Sequence, residues 1–227
     1  MNVVITGASR GIGLELTRNF LKGKNRVIAL SRNTQPLEKL NAGDKLKYFS
    51  FNLANAEKNP ELNNLVEKHF KQKVDIVINN AGSLIKKPFS QYQPEDFDQM
   101  FAVNVKGVFL LIQQLLPYFN SPSHIVNITS MGGFQGSLKF PGLSLYAASK
   151  GALATLSECL AIELKPLNIS VNALAIGAVD TEMLKEAFPG YQASVSAADM
   201  AQYIKDFAIN GHKVYNGKIL PVSLSTP

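Results

Sequence analysis

The sequence predicts a single α/β domain: a seven-stranded, mostly parallel sheet, doubly wound, with helices on both faces. Three features predict it. Runs rich in β-branched, aliphatic or aromatic residues recur over 3–6, 26–30, 47–51, 75–78, 124–129, 170–175 and 218–222. Several are apolar at successive positions, as strands covered on both faces must be. Helical patterns separate the runs, and the first run passes directly into a glycine-rich turn that opens a helix, which is how alternating βα units begin.

Helices are expected to start near Gly11, Pro60, Pro94, Ser144 and Ala197. In Asn59-Pro60-Glu61 and in Gln93-Pro94-Glu95-Asp96 a proline sits at the first helical position with acids in the first turn. The fixed φ of proline and the attraction of carboxylates to the helix N-terminus both favour a start there. No linker, repeat or low-complexity stretch divides residues 1–227, so one domain is expected, long enough to bury a core without disulfide or metal. With 46% hydrophobic and 18% charged residues the composition is that of an ordinary globular chain. The lone cysteine, Cys159, excludes an intrachain disulfide and suits a reducing compartment; it is expected as a small apolar residue on a packed helix.

No apolar run of membrane-spanning length is read, and strand-like Val3-Val4-Ile5 follows Met1 too closely to leave room for a leader, so a cytoplasmic protein without a membrane partner is expected. The net charge of +6 comes from scattered Lys and Arg residues that form no block or aromatic-interleaved stripe, which argues against nucleic acid and assigns part of the charge to phosphates of a cofactor or to an anionic substrate. His69 and His212 have no ligand partners at useful spacing, and no metal is expected.

In a doubly wound sheet, ligands bind beyond the carboxyl ends of the strands. The first such end reads Thr6-Gly7-Ala8-Ser9-Arg10-Gly11-Ile12-Gly13. One glycine permits the tight turn, another lets backbone approach a pyrophosphate, and a third lets helix and strand pack closely, while the helix N-terminus offers N–H groups to phosphate. Dinucleotide binding follows, in the manner of a Rossmann fold. Further elements follow: Asn79-Asn80-Ala81-Gly82 and Asn127-Ile128-Thr129-Ser130 at later strand ends, and, on helices, Tyr146-Ala147-Ala148-Ser149-Lys150 and Asn104 within Phe101–Gly107.

In their order these elements resemble the short-chain dehydrogenase/reductase family, over essentially the whole chain, with 215–221 similar to the family's last strand. The resemblance implies that Asn80, Ala81 and Gly82 border the adenosine ribose, that Val179 and Thr181 contact the nicotinamide carboxamide, and that Lys150 binds the nicotinamide ribose. It also implies that Asn104 holds a water linking Lys150 to solvent. Asn52 and Leu53, after the third strand, stand where the family has an adenine-contacting aspartate; the Asn52 carbonyl can still accept from an amino group. The second strand ends in Leu30-Ser31-Arg32, with no acid to pair with ribose hydroxyls and repel a 2′-phosphate. Arg10, Ser31 and Arg32 together suit a dianionic phosphate, so NADP(H) is the expected cofactor, with contacts from Gly7, Ser9, Arg10, Gly11, Ile12 and Gly13.

Tyr146 and Lys150 are four residues apart and share a helix face. An ammonium beside a phenol is expected to favour the phenolate and lower its pKa. Tyr146 would exchange a proton with a carbonyl or alcohol oxygen that Ser130 polarises, so Asn104, Ser130, Tyr146 and Lys150 form the expected catalytic set. The sequence departs from the family pattern in three places: Tyr146 stands sixteen positions after Ser130, Ile176-Gly177 replaces a Pro-Gly pair, and the substrate-covering segment 182–196 is short. That segment and the glycine-rich 131–145 are expected to form a mobile rim around an open pocket, with 182–196 covering the nicotinamide only in part.

The expected partner is a small carbonyl or alcohol substrate. The alternatives are a 3-oxoacyl thioester on an acidic carrier, met by Lys86, Lys87 and Lys139, and a regulatory dinucleotide sensor without chemistry. A homodimer or homotetramer is expected from two apolar helices, one carrying Phe101, Val105, Val108, Phe109, Ile112 and Leu116, the other Ala152, Leu156, Cys159 and Leu160.

Overall fold

The structure is a computed structural model and describes residues 1–57 and 59–224. Among these residues, seven strands form one sheet: β1 (Asn2–Thr6), β2 (Arg26–Ser31), β3 (Leu46–Ser50), β4 (Val74–Asn79), β5 (Phe119–Ser130), β6 (Ile169–Ile176) and, last in the chain, β9 (Ile219–Val222). Their order across the sheet is β3-β2-β1-β4-β5-β6-β9 and every pairing is parallel. The order runs outward in both directions from the β1–β4 pair, so the carboxyl ends of these two strands mark the switch point at which such sheets bind ligands.

Side chains leave a strand alternately to its two faces. Val4, Val77, Ile125 and Val171 accordingly pack on one side with α3 (Pro60–Phe70), α5 (Gly107–Leu115) and α6 (Ser144–Glu163). Val3, Ile5, Ile76, Ile78, Val126, Ile128 and Leu174 pack on the other with α1 (Gly11–Leu21) and α8 (Ala197–Asn210). Both faces of the central strands are dry, which is why those strands read as unbroken apolar runs.

The remaining helices are a short α2 (Gln35–Glu38), α4 (Pro94–Phe101) and α7 (Glu182–Ala187). A two-stranded parallel pair, β7 (Val179–Asp180) with β8 (Val195–Ser196), flanks α7; two residues are too few to leave a strand pattern in sequence. β5 begins five residues before its expected start: Phe119 pairs with Val74 ahead of an irregularity in register, through a polar stretch, Asn120-Ser121-Pro122-Ser123, that carries no apolar signal.

Three expectations need correction. α4, a π-helical turn Ala102–Lys106 and α5 run on as one helix, so residues 94–118 do form a segment long and apolar enough to cross a membrane by length and composition. It is the β4-to-β5 crossover, and Val108, Leu111, Ile112 and Leu115 are buried against the sheet. Val108 and Ile112 are thus spent on the chain's own core, while Phe109 at 42% and Phe97 at 45% stay exposed. Cys159 is exposed on α6 rather than packed.

Gly107 begins α5 where it crosses the Leu53 backbone. A β-carbon there would stand 2.2 Å from the Leu53 carbonyl oxygen and 2.6 Å from Leu53 Cγ, and backbone cannot step aside as a flexible side chain can. Leu53 itself is a core residue held under this crossing. Gly107→Ala should push α5 off the sheet and cost about 1–3 kcal/mol, read as a lower urea midpoint at unchanged slope.

Candidate active site

The turn after β1 is built around its glycines. Gly7 has φ +66°, and a β-carbon on it would lie 2.8 Å from Ala81 Cα, so the position needs both a left-handed backbone and an absent side chain. Gly13 lies against the turn itself: a β-carbon would approach the Gly7 carbonyl oxygen to 2.1 Å. The ends of β1 and β4 are tied together. Thr6 Oγ1 accepts from the backbone N–H groups of Asn80 and Ala81, both at 3.1 Å, and Asn80 Nδ2 donates to the carbonyls of Thr6 and Gly7 at 3.1 and 3.2 Å. These bonds hold the turn's backbone open beside the N-terminus of α1, a cradle of the kind a pyrophosphate fits. Ile12 is buried in the core beneath it, so only its backbone faces the turn.

Ser130 ends β5 and Tyr146 and Lys150 lie on α6, one helical turn apart. The Ser130 hydroxyl accepts from Gly132 N–H at 3.1 Å and hydrogen-bonds to the Tyr146 phenol. Lys150 is buried, and its Nζ donates to the carbonyl of Ile128 on β5 at 2.8 Å. Its Nζ stands 6.0 Å from the centre of the Tyr146 ring. Asn104, at the middle of the π-helical turn, is fully buried and its carboxamide is committed. Its oxygen accepts from Ser83 N–H at 2.8 Å, and its nitrogen donates to the Ser83 carbonyl and to Ser149 Oγ, both at 2.9 Å. The side chain therefore staples the strand-end segment after Gly82 to α6, with both amide hydrogens used and one oxygen lone pair left over. Ser83 and Ser149 are the partners that sequence reasoning missed, although Ser149 stands inside the Tyr146–Lys150 motif.

The electrostatics differ from the expectation in one respect. The Tyr146 pKa is not lowered by Lys150: burial raises it, with the Ser130 hydrogen bond pulling modestly the other way. Part of the Tyr146 surface stays accessible, yet the packing around the phenol is dense enough for desolvation to dominate. Lys150 is driven down from 10.5 to about 8 by the same desolvation. Two groups that would each lose water on ionising have been brought together, and each leans towards its neutral form.

At the end of β2, Ser31 donates to Ser9 Oγ at 2.6 Å, joining the second strand end to the glycine turn, and Arg32 is exposed beside them. Arg10 is not gathered with Arg32 as expected; its Nη1 lies 2.8 Å from Glu186 Oε1 on α7. Thr181 caps α7, its hydroxyl accepting from Leu184 N–H at 3.3 Å and donating to the Val179 carbonyl at 3.2 Å. The Val179 side chain is buried in the core, which leaves its backbone for any ligand. Asn52 is exposed, and its Oδ1 caps the 3₁₀ turn Leu53–Asn55 through Ala54 N–H at 3.1 Å.

The 182–196 segment reaches further than its length promised. Beyond α7, Lys86 Nζ donates to the Ala187 carbonyl at 3.1 Å and sits 3.9 Å from the Phe188 ring centre, so the segment spans from the glycine turn to the stretch after β4. The 131–145 loop lines a hollow of about 610 Å³ with Gly132, Gly133, Phe140, Leu143, Ala147 and Gly151; Ser130, Tyr146 and Lys150 do not line it.

Comparison with known proteins agrees with this arrangement. Residues 1–192 match the family model described as short chain dehydrogenase. An uncharacterised oxidoreductase of Staphylococcus aureus is 29% identical over 206 residues, 88% of this chain and 87% of the relative. Among solved structures, a 3-ketoacyl-(acyl-carrier-protein) reductase from Brucella melitensis complexed with NADH is 28% identical with a TM-score of 0.83, covering 98% of this chain and 96% of that one. A 4-hydroxyisoleucine dehydrogenase complexed with NADH is 26% identical with a TM-score of 0.86, at the same coverage.

The buried Lys150 generates a test. Its folded pKa is about 8 against 10.5 when solvated. Below pH 8 the lysine is charged in both states and folding bears the whole desolvation cost, about 3 kcal/mol at 1.36 kcal/mol per unit. Between pH 8 and 10.5 the unfolded chain binds more protons, so wild-type stability rises with pH. Lys150→Met removes the charge but orphans the Ile128 carbonyl, which offsets on the order of 1 kcal/mol. The variant should be more stable than wild type at pH 6–7 by on the order of 1–2 kcal/mol, with the gain shrinking above pH 8. Denaturant melts of both proteins across that range check it.

Proposed function

The chain belongs to the short-chain dehydrogenase family, and from that membership we propose that this oxidoreductase is NADP(H)-dependent and interconverts a carbonyl, ketone or aldehyde, with its alcohol. Tyr146 is the proton donor and acceptor in this reading. The observation that carries it is the gathering of Ser130 at the end of β5 with Tyr146 and the buried Lys150 on α6, at the same carboxyl end of the sheet as the glycine turn.

The glycine turn fits a dinucleotide in this reading because its glycines leave backbone, without side chains, beside the N-terminus of α1, and because Arg10 and the exposed Arg32 supply cations. Gly7, Ser9, Gly11, Ile12 and Gly13 would hold the pyrophosphate side, Asn80, Ala81, Gly82 and Asn52 with Leu53 the adenosine, and Lys150, Val179 and Thr181 the nicotinamide riboside. NADP(H) is favoured over NAD(H) because β2 ends in Ser31-Arg32 with no acid to repel a 2′-phosphate. When bound, the nicotinamide supplies or takes up the hydride.

The chain's own residues handle the proton. A phenol held above its usual pKa is protonated at neutral pH and so is ready to donate to a carbonyl oxygen, which suits reduction. Ser130 offers its hydroxyl to that same oxygen, since its lone pair already accepts from Gly132 N–H. Lys150, titrating near 8, can pass a proton towards Tyr146 at neutral pH.

The small-carbonyl reading is preferred to a carrier-bound thioester because the lysines that would meet an acidic carrier are engaged within the chain. Lys86 holds Ala187 and Phe188, Lys87 pairs with Asp96 at 2.7 Å, and Lys139 donates to the Phe134 carbonyl at 2.6 Å. The exposed Phe97, Phe109 and Ile162 on α4, α5 and α6 support a homodimer or homotetramer, and a cytoplasmic setting completes the reading.

A panel of ketones, aldehydes and 3-oxoacyl thioesters with NADPH, followed by loss of reduced-nicotinamide absorbance, tests the reaction class. On the best substrate Tyr146→Phe should lose about 10²–10⁴ in turnover while NADPH affinity is retained; a variant with near wild-type turnover would show that another group is the acid. Arg32→Asp should narrow or reverse the preference for NADPH over NADH, measured by titrating both cofactors, because it puts a carboxylate beside the 2′-phosphate.

A further inference from the structure

The contacts of α7 single out two carboxylates that the reaction does not use. Glu182 Oε2 lies 3.5 Å, and Thr181 Cγ2 3.3 Å, from where a Gly11 β-carbon would stand, so the start of α7 leans on the glycine turn. One turn later Glu186 Oε1 meets Arg10 Nη1 at 2.8 Å, joining residues 176 positions apart. The far end of α7 is held by Lys86 across the cleft. Lys185 does not share in this, since it is paired with Asp180 at 2.9 Å. α7 is thus a strap, pinned to the turn by the arginine that the cofactor's phosphates would draw on.

We propose that Glu186 is a cofactor-discriminating latch: it holds Arg10 and α7 together in the free chain and gives way to the 2′-phosphate of NADP(H), so that the phosphate selecting the cofactor also loosens the strap. This rests on the NADP(H) reading above. The exchange is chemically natural. A phosphate dianion is a stronger partner for a guanidinium than one carboxylate oxygen, and it repels Glu186 at the same time. The bridge is also weak enough to exchange, because both side chains are well exposed, at 47% and 64%, and screened by solvent. NAD(H) carries no 2′-phosphate to compete for Arg10, so it leaves the latch in place.

Glu186→Gln tests this, in a residue exposed enough for the fold to tolerate the change. Removing the competitor should raise the NADPH-to-NADH affinity ratio by about two- to fivefold, the size of one exposed ion pair, and high salt should erase most of that gain. Short-pulse amide hydrogen exchange on the cofactor-free protein gives a second readout: residues 182–188 should exchange faster in Glu186→Gln than in wild type, and wild type should reach the faster rate with NADPH but not with NADH. If wild type prefers NADPH, but the substitution changes neither the ratio nor the exchange of 182–188, the latch is wrong and the cofactor reading survives. A wild type with no preference for NADPH would overturn the cofactor reading, and the latch with it.

Discussion

Thr6 and Asn80 bind the ends of β1 and β4 to each other at the point where the strand order reverses, and the rest of the site is placed from that knot. One threonine oxygen accepts two backbone N–H groups, and one asparagine amide donates to two carbonyls, so four polar groups at a buried strand exit are satisfied by two side chains. The knot leaves no room for side chains in the turn above it. Gly7 and Gly13 are therefore requirements of the packing as much as of a ligand. The same closeness makes the cradle rigid, and rigid N–H groups bind anions without first having to be ordered.

From β4 the constraint passes to the proton-handling groups through Asn104. A carboxamide in a helix interior is unfavourable by propensity, and here it sits in a π-helical turn that interrupts the regular ladder. Its three hydrogen bonds, to Ser83 twice and to Ser149 once, fix the segment beyond β4 against the turn of α6 that carries Lys150. Ser149 in turn donates to the Tyr146 carbonyl at 2.8 Å. The positions of Tyr146 and Lys150 relative to the cofactor cradle are thus set by a chain of neutral hydrogen bonds, with no ion pair in it, so neither group's titration is fixed by a permanent partner charge.

What was legible in the sequence followed from short-range rules. Strands dry on both faces show as apolar runs, and all seven were readable apart from their ends; Phe119–Ser123 escaped because polar side chains fill it, one of which, Asn120, bonds across to Asp75 on β4 at 2.9 Å. The glycine turn was readable from its spacing directly after a strand, although the demands at Gly7 and Gly11 come from Ala81 and Thr181, far along the chain. A four-residue spacing gives a common helix face, so the pairing of Tyr146 with Lys150 was readable too. The direction of their pKa shifts was not, since it depends on how much water the finished packing removes and on Lys150 Nζ finding the Ile128 carbonyl. Nor was the Arg10–Glu186 bridge, because no local pattern links residues 176 positions apart. The reach of the 182–196 segment depended likewise on Lys86, contributed by another strand end.

These features bear on which direction of reaction the resting site is built for. With the Tyr146 pKa raised by burial and Lys150 near 8, the site carries a proton on the phenol at neutral pH and loses its fixed positive charge as pH rises through 8. Such a site can donate a proton at once, whereas taking one requires the phenolate, which the surroundings disfavour. A positive charge brought close to Tyr146 would reverse that balance, since it stabilises the phenolate by Coulomb attraction in a region where little water screens it. An oxidised nicotinamide is cationic and a reduced one is not, so in the proposed reaction the acid and base forms of Tyr146 would each be favoured by the cofactor state that needs them. A permanent Lys–Tyr ion pair would lose this property, because a phenolate stabilised at all times is a poor acid. In the proposed reaction the 2.8 Å bond from Lys150 to a strand carbonyl, which keeps the ammonium 6.0 Å from the ring centre, would therefore leave the tyrosine able to work in both directions.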